Sequence, residues 1–184
     1  NLRKNFDAKA GTFHTKWSEI NVSCEACHGA GSNHVAWARK TGDWHAFDVD
    51  KGLYAPLDER KGMQWIPVAE TGNARRSTPR TTTRELDTCA RCHSRAGRIS
   101  DNDPHGRPLL DTPRLTLLDE GLYWNDGQMR DEVYNWGAFA QSRMNAHGVT
   151  CSDCHDPHSL KLKADGNAVC AQCNEILPRG KEAA

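Results

Sequence analysis

Four Cys-x-x-Cys pairs run along this chain of 184 residues, and three of them are followed at once by histidine: Cys24-Glu25-Ala26-Cys27-His28, Cys89-Ala90-Arg91-Cys92-His93 and Cys151-Ser152-Asp153-Cys154-His155. Two thiols three residues apart can add across the vinyl groups of a haem, and the next residue then places an imidazole under the iron. This pentapeptide is the attachment signature of c-type haem. The fourth pair, Cys170-Ala171-Gln172-Cys173, ends in Asn174 instead. All 8 cysteines lie in these pairs, so none is left for a structural bridge.

Histidine fills 9 of the 184 positions, so three independent hits directly after a pair would arise by chance roughly once in ten thousand trials. Zinc is the main alternative. Cys151, Cys154, Cys170 and Cys173 have zinc-ribbon spacing, with 15 residues between the pairs, but 61 residues separate the first pair from the second. Zinc also has no need of a histidine after each pair. A thioredoxin-like motif would require a βαβ pattern, which is missing. Three covalent haems are expected, with His28, His93 and His155 as proximal ligands.

Asn174 admits three accounts. The last pair holds a haem whose iron is ligated from elsewhere, even from another subunit; or it holds one with an open site; or it holds none. Thioether attachment needs only Cys170 and Cys173, so a fourth haem is the expectation adopted. The remaining histidines, His14, His34, His45, His105, His147 and His158, are candidates for second axial ligands. Bis-histidine iron is six-coordinate, has a lower potential than Met/His iron, and favours electron transfer. His158 lies too near His155 in sequence to reach the opposite face of the same haem and is expected on a neighbouring one; His34 stands in the same relation to His28. Met144 is either a sulfur ligand or, as expected of a Met on an apolar stripe, core packing.

Short helices are needed to hold these motifs. Ser23, Thr88 and Thr150 each precede a first cysteine and are expected as helix caps, and one helical turn brings both cysteines of a pair to one face. Residues 32–40 read as a short helix. Residues 129–146 read as the best helix, with Val133, Trp136, Ala140 and Met144 on one face and Gly148 as the stop. Strand signals are weak. The expected fold is a single domain, 1–184, mostly irregular with short α-helices and little or no β-sheet, wrapped around stacked haems. Its first haem zone is 1–45, a wrapping loop is 46–82, the second zone is 83–110, and the third and fourth lie in 128–174. Arg75, Arg76, Arg80 and Arg84 either pair with haem propionates or form a solvated basic loop. A faint repeat relates the stretch from Val22 to His28 to that from Val149 to His155.

Composition agrees with a core supplied from outside the polypeptide. Hydrophobic residues make up 37% and mean hydropathy is −0.77, which leans toward disorder unless another group offers apolar surface. The chain is therefore not expected to fold without its cofactor. The 24 basic and 24 acidic residues cancel, which argues against nucleic acid as a partner. No run of residues is apolar enough to span a bilayer, and no signal peptide is evident. The chain reads as a mature or trimmed product, or as a fragment of a longer one.

The block from Asn21 to His34, Asn-Val-Ser-Cys-Glu-Ala-Cys-His-Gly-Ala-Gly-Ser-x-His, resembles multihaem c-type cytochromes, among them the tetrahaem cytochromes associated with hydroxylamine oxidation and those carrying tetratricopeptide repeats. Residues 127–134, Gln141-Ser142-x-Met144, 148–159 and 166–173 resemble the second half of the same family. The resemblance implies stacked haem pairs, mostly irregular chain, and His34 and His158 as distal ligands. The family usually has histidine where Asn174 stands, and commonly places another haem motif before a segment like residues 1–7.

These readings lead to one expectation: an electron-transfer multihaem cytochrome, periplasmic or extracellular, working as a relay or filament subunit with redox proteins or copies of itself as partners. It is expected to be an electron carrier and not an enzyme. The alternative is an oxidoreductase acting on a small nitrogen or sulfur compound at an open haem near Cys170 and Cys173.

Overall fold

The computed structural model describes residues 2–99 and 105–173. It is mostly irregular chain carrying six short helices, with β structure confined to two-stranded antiparallel pieces. Residues 2–17 form one interrupted hairpin, in which β1 (Leu2–Arg3) pairs with β4 (Lys16–Trp17) and β2 (Phe6–Asp7) with β3 (Thr12–Phe13). Helix α1 (Cys24–His28) is little more than one turn and carries the whole first motif. Gly29, at φ +73°, ends it in a conformation that side chains rarely adopt. Helix α2 (Ser32–Arg39) follows and stops at Lys40 in the left-handed region.

The segment expected as a wrapping loop is more ordered than its proline and glycine content suggested. It contains a hairpin, β5 (Trp65–Val68) with β6 (Asn73–Arg76). Of Arg75, Arg76, Arg80 and Arg84, three are not freely solvated. Arg76 is buried and donates to the backbone carbonyls of Glu59, Thr78 and Gly148. Arg80 donates to the Val149 carbonyl and to Asn145, and Arg84 reaches the Pro56 carbonyl. A guanidinium fixes several carbonyls at once because it carries five donors in a rigid fork. Arg75 alone of the four is exposed.

Helix α3 (Arg84–His93) carries the second motif and places Glu85 and Asp87 in its first turn, Arg91 and His93 in its last, as the helix dipole favours. Thr88 is not a cap: it sits buried inside α3, and Thr83 occupies the N-cap position. Strands β7 (Ala96–Arg98) and β8 (Pro113–Leu115) pair next. Ala90, Leu109 and Leu115 form a small apolar cluster against which Trp136 packs.

The helix expected over 129–146 is two: α4 (Tyr134–Ala140) and α5 (Arg143–Ala146). Ser142 ends the run by turning extended and accepting the Asn145 N–H on its hydroxyl, so it starts a new helix. The break swings Met144 off the apolar stripe. Val133 is buried, whereas Met144 is exposed, not core.

Helix α6 (Cys151–Cys154) begins at Thr150, while Ser23 caps α1 in position only, without a side-chain bond. After α6 the chain extends into β9 (His155–Asp156), which pairs with β10 (Lys161–Leu162). The faint repeat therefore ends differently in its two copies: His28 closes a helix and His155 opens a strand.

What holds α6 is polar. The Asp153 side chain is fully buried and accepts from the Thr150 N–H at 2.7 Å and from Trp65 Nε1 at 2.9 Å. Arg60 Nε stands 2.8 Å from the same carboxylate. Glu85, buried on α3, takes the Ser152 N–H at 2.6 Å and the Ser152 hydroxyl at 2.8 Å. Gln172 Nε2 donates to the Asp153 carbonyl, carrying the fourth pair to the same centre. Removing one partner of a buried ion pair leaves the other charge uncompensated. Asp153→Ala is therefore expected to cost about 3–5 kcal/mol of folding free energy, seen as a lowered denaturation midpoint; a midpoint equal to the parent's would refute this role.

Candidate haem-binding site

The cysteine pairs begin as local geometry. In α1, α3 and α6 a single helical turn separates the first sulfur from the second, so each pair shares a face. Cys170 and Cys173 sit just past the 3-10 turn Gly166–Val169. The folded chain brings the pairs together in sequence order. Cys27 lies near enough to Cys92 for that thiol's charge, after burial, to push the Cys27 pKa up. Cys89 and Cys151 share a hydrogen bond, which together with burial raises Cys89. Cys154 is raised by burial, then by Asp153 and Cys170. Cys173 is pushed up to about 11, first by burial and then by the charges of Asp153 and Cys154. Among the described residues no group of three or more His, Cys, Asp or Glu side chains is arranged to hold a bare metal ion.

The histidines sort by what each ring nitrogen touches. His28 directs Nδ1 at the Ala55 carbonyl, 3.2 Å away, and His34 directs Nδ1 at the Lys51 carbonyl, 2.7 Å away. A carbonyl can only accept, so in both rings Nδ1 carries the proton and Nε2 keeps its lone pair for a metal. His158, which sequence distance separates from His28 by 130 positions, faces it: the ring centres are 6.2 Å apart and the planes differ by 17°. The two rings are thus near-parallel neighbours, brought together from the first and third motif regions.

Other candidates are differently placed. His105 turns Nε2 onto the Ala26 carbonyl at 3.1 Å, inside the first motif, and burial lowers its pKa; the less hindered nitrogen is thereby occupied. His45 lies on Trp44 with ring centres 3.6 Å apart and pairs with Asp48. His14 and His147 are exposed, His14 on the first hairpin and His147 at the end of α5. His93 and His155 are exposed as well. Asn174 lies outside the described residues, and with it the question it raised.

Exposed aliphatic side chains beside the motifs fit a large flat cofactor. Ile20 and Val22, ahead of the first motif, are 90% and 77% exposed, and Leu160, after His158, is 89% exposed. Beside Cys92 lies an open cleft of about 540 Å³ lined by Ser94, Arg95, Ala96, Asp131, Glu132 and Tyr134. Arg95 reaches Asp131 at 3.0 Å across it.

Sequence reasoning had not singled out Asp153, Glu85 and Arg60, nor the carbonyls of Lys51 and Ala55. Asp153 left one trace, the Thr-x-x-Asp spacing of a capping box; the carbonyls left none, because every residue has one. Comparison with protein families, with characterised proteins and with solved structures finds no match. The functional reading therefore rests on these residues. No helix among the described residues is long and apolar enough to cross a membrane.

Proposed function

We propose that the chain is an electron-transfer c-type cytochrome with haem attached at Cys24/Cys27, Cys89/Cys92, Cys151/Cys154 and Cys170/Cys173. Haem c bound there would supply one-electron iron chemistry passed between neighbouring macrocycles. The observation that carries the reading is the run of three Cys-x-x-Cys-His motifs, beside which the fold brings His158 to 6.2 Å from His28 between ring centres. A metal with both axial positions filled by imidazole exchanges electrons without binding a substrate.

The protein's own part is positioning. His28 is held in the Nε2-donor form by the Ala55 carbonyl. The second, third and fourth cysteine pairs are gathered by Glu85, Asp153 and Gln172, so their attachment points follow one another in space as in sequence. The buried carboxylates of Asp153, paired with Arg60, and of Glu85 anchor the segment that carries the third pair. Redox proteins or further copies of the chain are the partners this reading calls for, outside the cytoplasm, where such haems are attached.

Intact mass with an optical spectrum tests it. Four haem additions and a Soret band are expected; the mass of the polypeptide alone, without colour, would overturn it. The axial pair is tested by His158→Ala, expected to convert one haem from low-spin to high-spin and leave the others unchanged. His158→Met is expected to raise one midpoint potential, since Met/His iron lies above bis-histidine iron. Spectra identical to the parent's in both variants would remove His158 from the iron.

A further inference from the structure

Lys51, Gly52, Leu53, Tyr54 and Ala55 form a short strap that touches two histidines of the first haem zone, His28 and His34. Its first carbonyl, from Lys51, accepts from His34 Nδ1, and its last, from Ala55, accepts from His28 Nδ1. The Ala55 N–H returns a bond to the His28 carbonyl at 3.0 Å, and Ala55 is fully buried. Five residues of one segment thus fix the protonated nitrogen of two imidazoles that stand on different helices.

The strap is held at both ends by glycines that leave no room for a side chain. Gly52 is at φ +70°, and a Cβ there would lie 2.6 Å from the Asn33 carbonyl carbon and oxygen and 2.7 Å from the His34 nitrogen. Its N–H is steadied by the Asp50 carboxylate at 2.8 Å. Gly29, directly after His28, admits the Tyr54 ring: a Cβ there would meet Tyr54 Cδ1 at 2.9 Å. Backbone lies against backbone at one end, and a ring fills the space above a glycine at the other.

We infer that the Lys51–Ala55 strap is a shared positioning element that orients His28 and His34 together as Nε2 ligands, with Gly52 as the residue that sets its seat. The inference rests on the haem reading above and adds to it that the two ligands are coupled. They are coupled through backbone and not through the cofactor. A displacement of the strap at Gly52 moves both carbonyls, so the irons that His28 and His34 serve change together. The bond to Nδ1 tunes imidazole basicity as well as ring direction, so both spin signature and potential respond.

Gly52→Ala is the test, with Gly62→Ala as its control. Gly62 has the same φ of +70°, yet nothing lies within 4 Å of a Cβ there, so it carries the backbone strain without the collision. Electron paramagnetic resonance of the oxidised, fully haem-loaded protein is expected to show two low-spin signals shifted in Gly52→Ala and none shifted in Gly62→Ala, with haem count by mass unchanged. Asp50→Ala, a gentler change that withdraws only the bond to the Gly52 N–H, is expected to shift the same two signals by less and serves if Gly52→Ala does not fold. Midpoint potentials of the same two haems are expected to move in each shifted variant. Unaltered signals in a folded, fully loaded Gly52→Ala or Asp50→Ala protein, a shift of one signal only, or an equal response in Gly62→Ala would each overturn the strap and leave the haem reading standing. A parent protein with no haem mass would instead overturn the haem reading, and the strap's ligand role with it.

Discussion

A carboxylate with no access to water has to be surrounded by donors, and around Asp153 those donors come from distant parts of the chain. Arg60 and Trp65 precede it by 93 and 88 positions, Thr150 is its own helix start, and Gln172 returns from the last cysteine pair to its backbone carbonyl. An unpaired charge there would cost far more than any one contact around it returns. Any arrangement that buries Asp153 must therefore bring all these segments in at once. Glu85 repeats the constraint between α3 and α6, with both carboxylate oxygens taken up by Ser152. The third motif is held by directional bonds, which specify geometry more narrowly than an apolar core would.

This explains why a chain so poor in aliphatic residues can still have a defined shape. Its apolar cluster is small: Ala90, Leu109 and Leu115 with Trp136 against them. Many large apolar side chains face outward, among them Ile20, Val22, Val49 and Leu160. The polar frame decides where the cysteine pairs stand, and the outward apolar residues are left for whatever those pairs hold. The two duties fall on different residue types. Hydrogen-bonded charges carry position, and aliphatics beside the motifs stay exposed.

The local geometry of the motifs was legible in the sequence: two sulfurs one helical turn apart and an imidazole next to them. Local helix limits were legible for the same reason, as in Ser32–Arg39. Reading failed where a distant partner overrode a local signal. Thr88 looked like a cap, but α3 starts earlier, at Arg84, where the Glu85 N–H is taken by Glu59. The 129–146 helix had the right apolar spacing, but Ser142 offered its hydroxyl to the Asn145 N–H and broke it. The 46–82 stretch has the glycines and prolines of a loop, yet Arg60, Trp65, Arg76 and Arg80 make it the scaffold for residues 145–153. The facing of His28 and His158 is likewise a contact across the fold, invisible to spacing along the chain.

Tautomer is the last link between frame and chemistry. An imidazole whose two nitrogens are both free can present either one to a metal, and its plane can rotate. A carbonyl placed against Nδ1 removes the choice: the proton stays there, Nε2 becomes the donor, and the ring plane is pinned by the direction of that bond. In His105 the carbonyl stands at Nε2 instead, and the nitrogen left over is the one crowded by the ring's own side-chain carbon. The same functional group, a backbone carbonyl, thus leaves Nε2 free in His28 and His34 and occupies it in His105. The difference lies wholly in which nitrogen it meets. The irregular segments matter here as much as the helices, since they carry the carbonyls that fix which ring nitrogen of each of these histidines is left free.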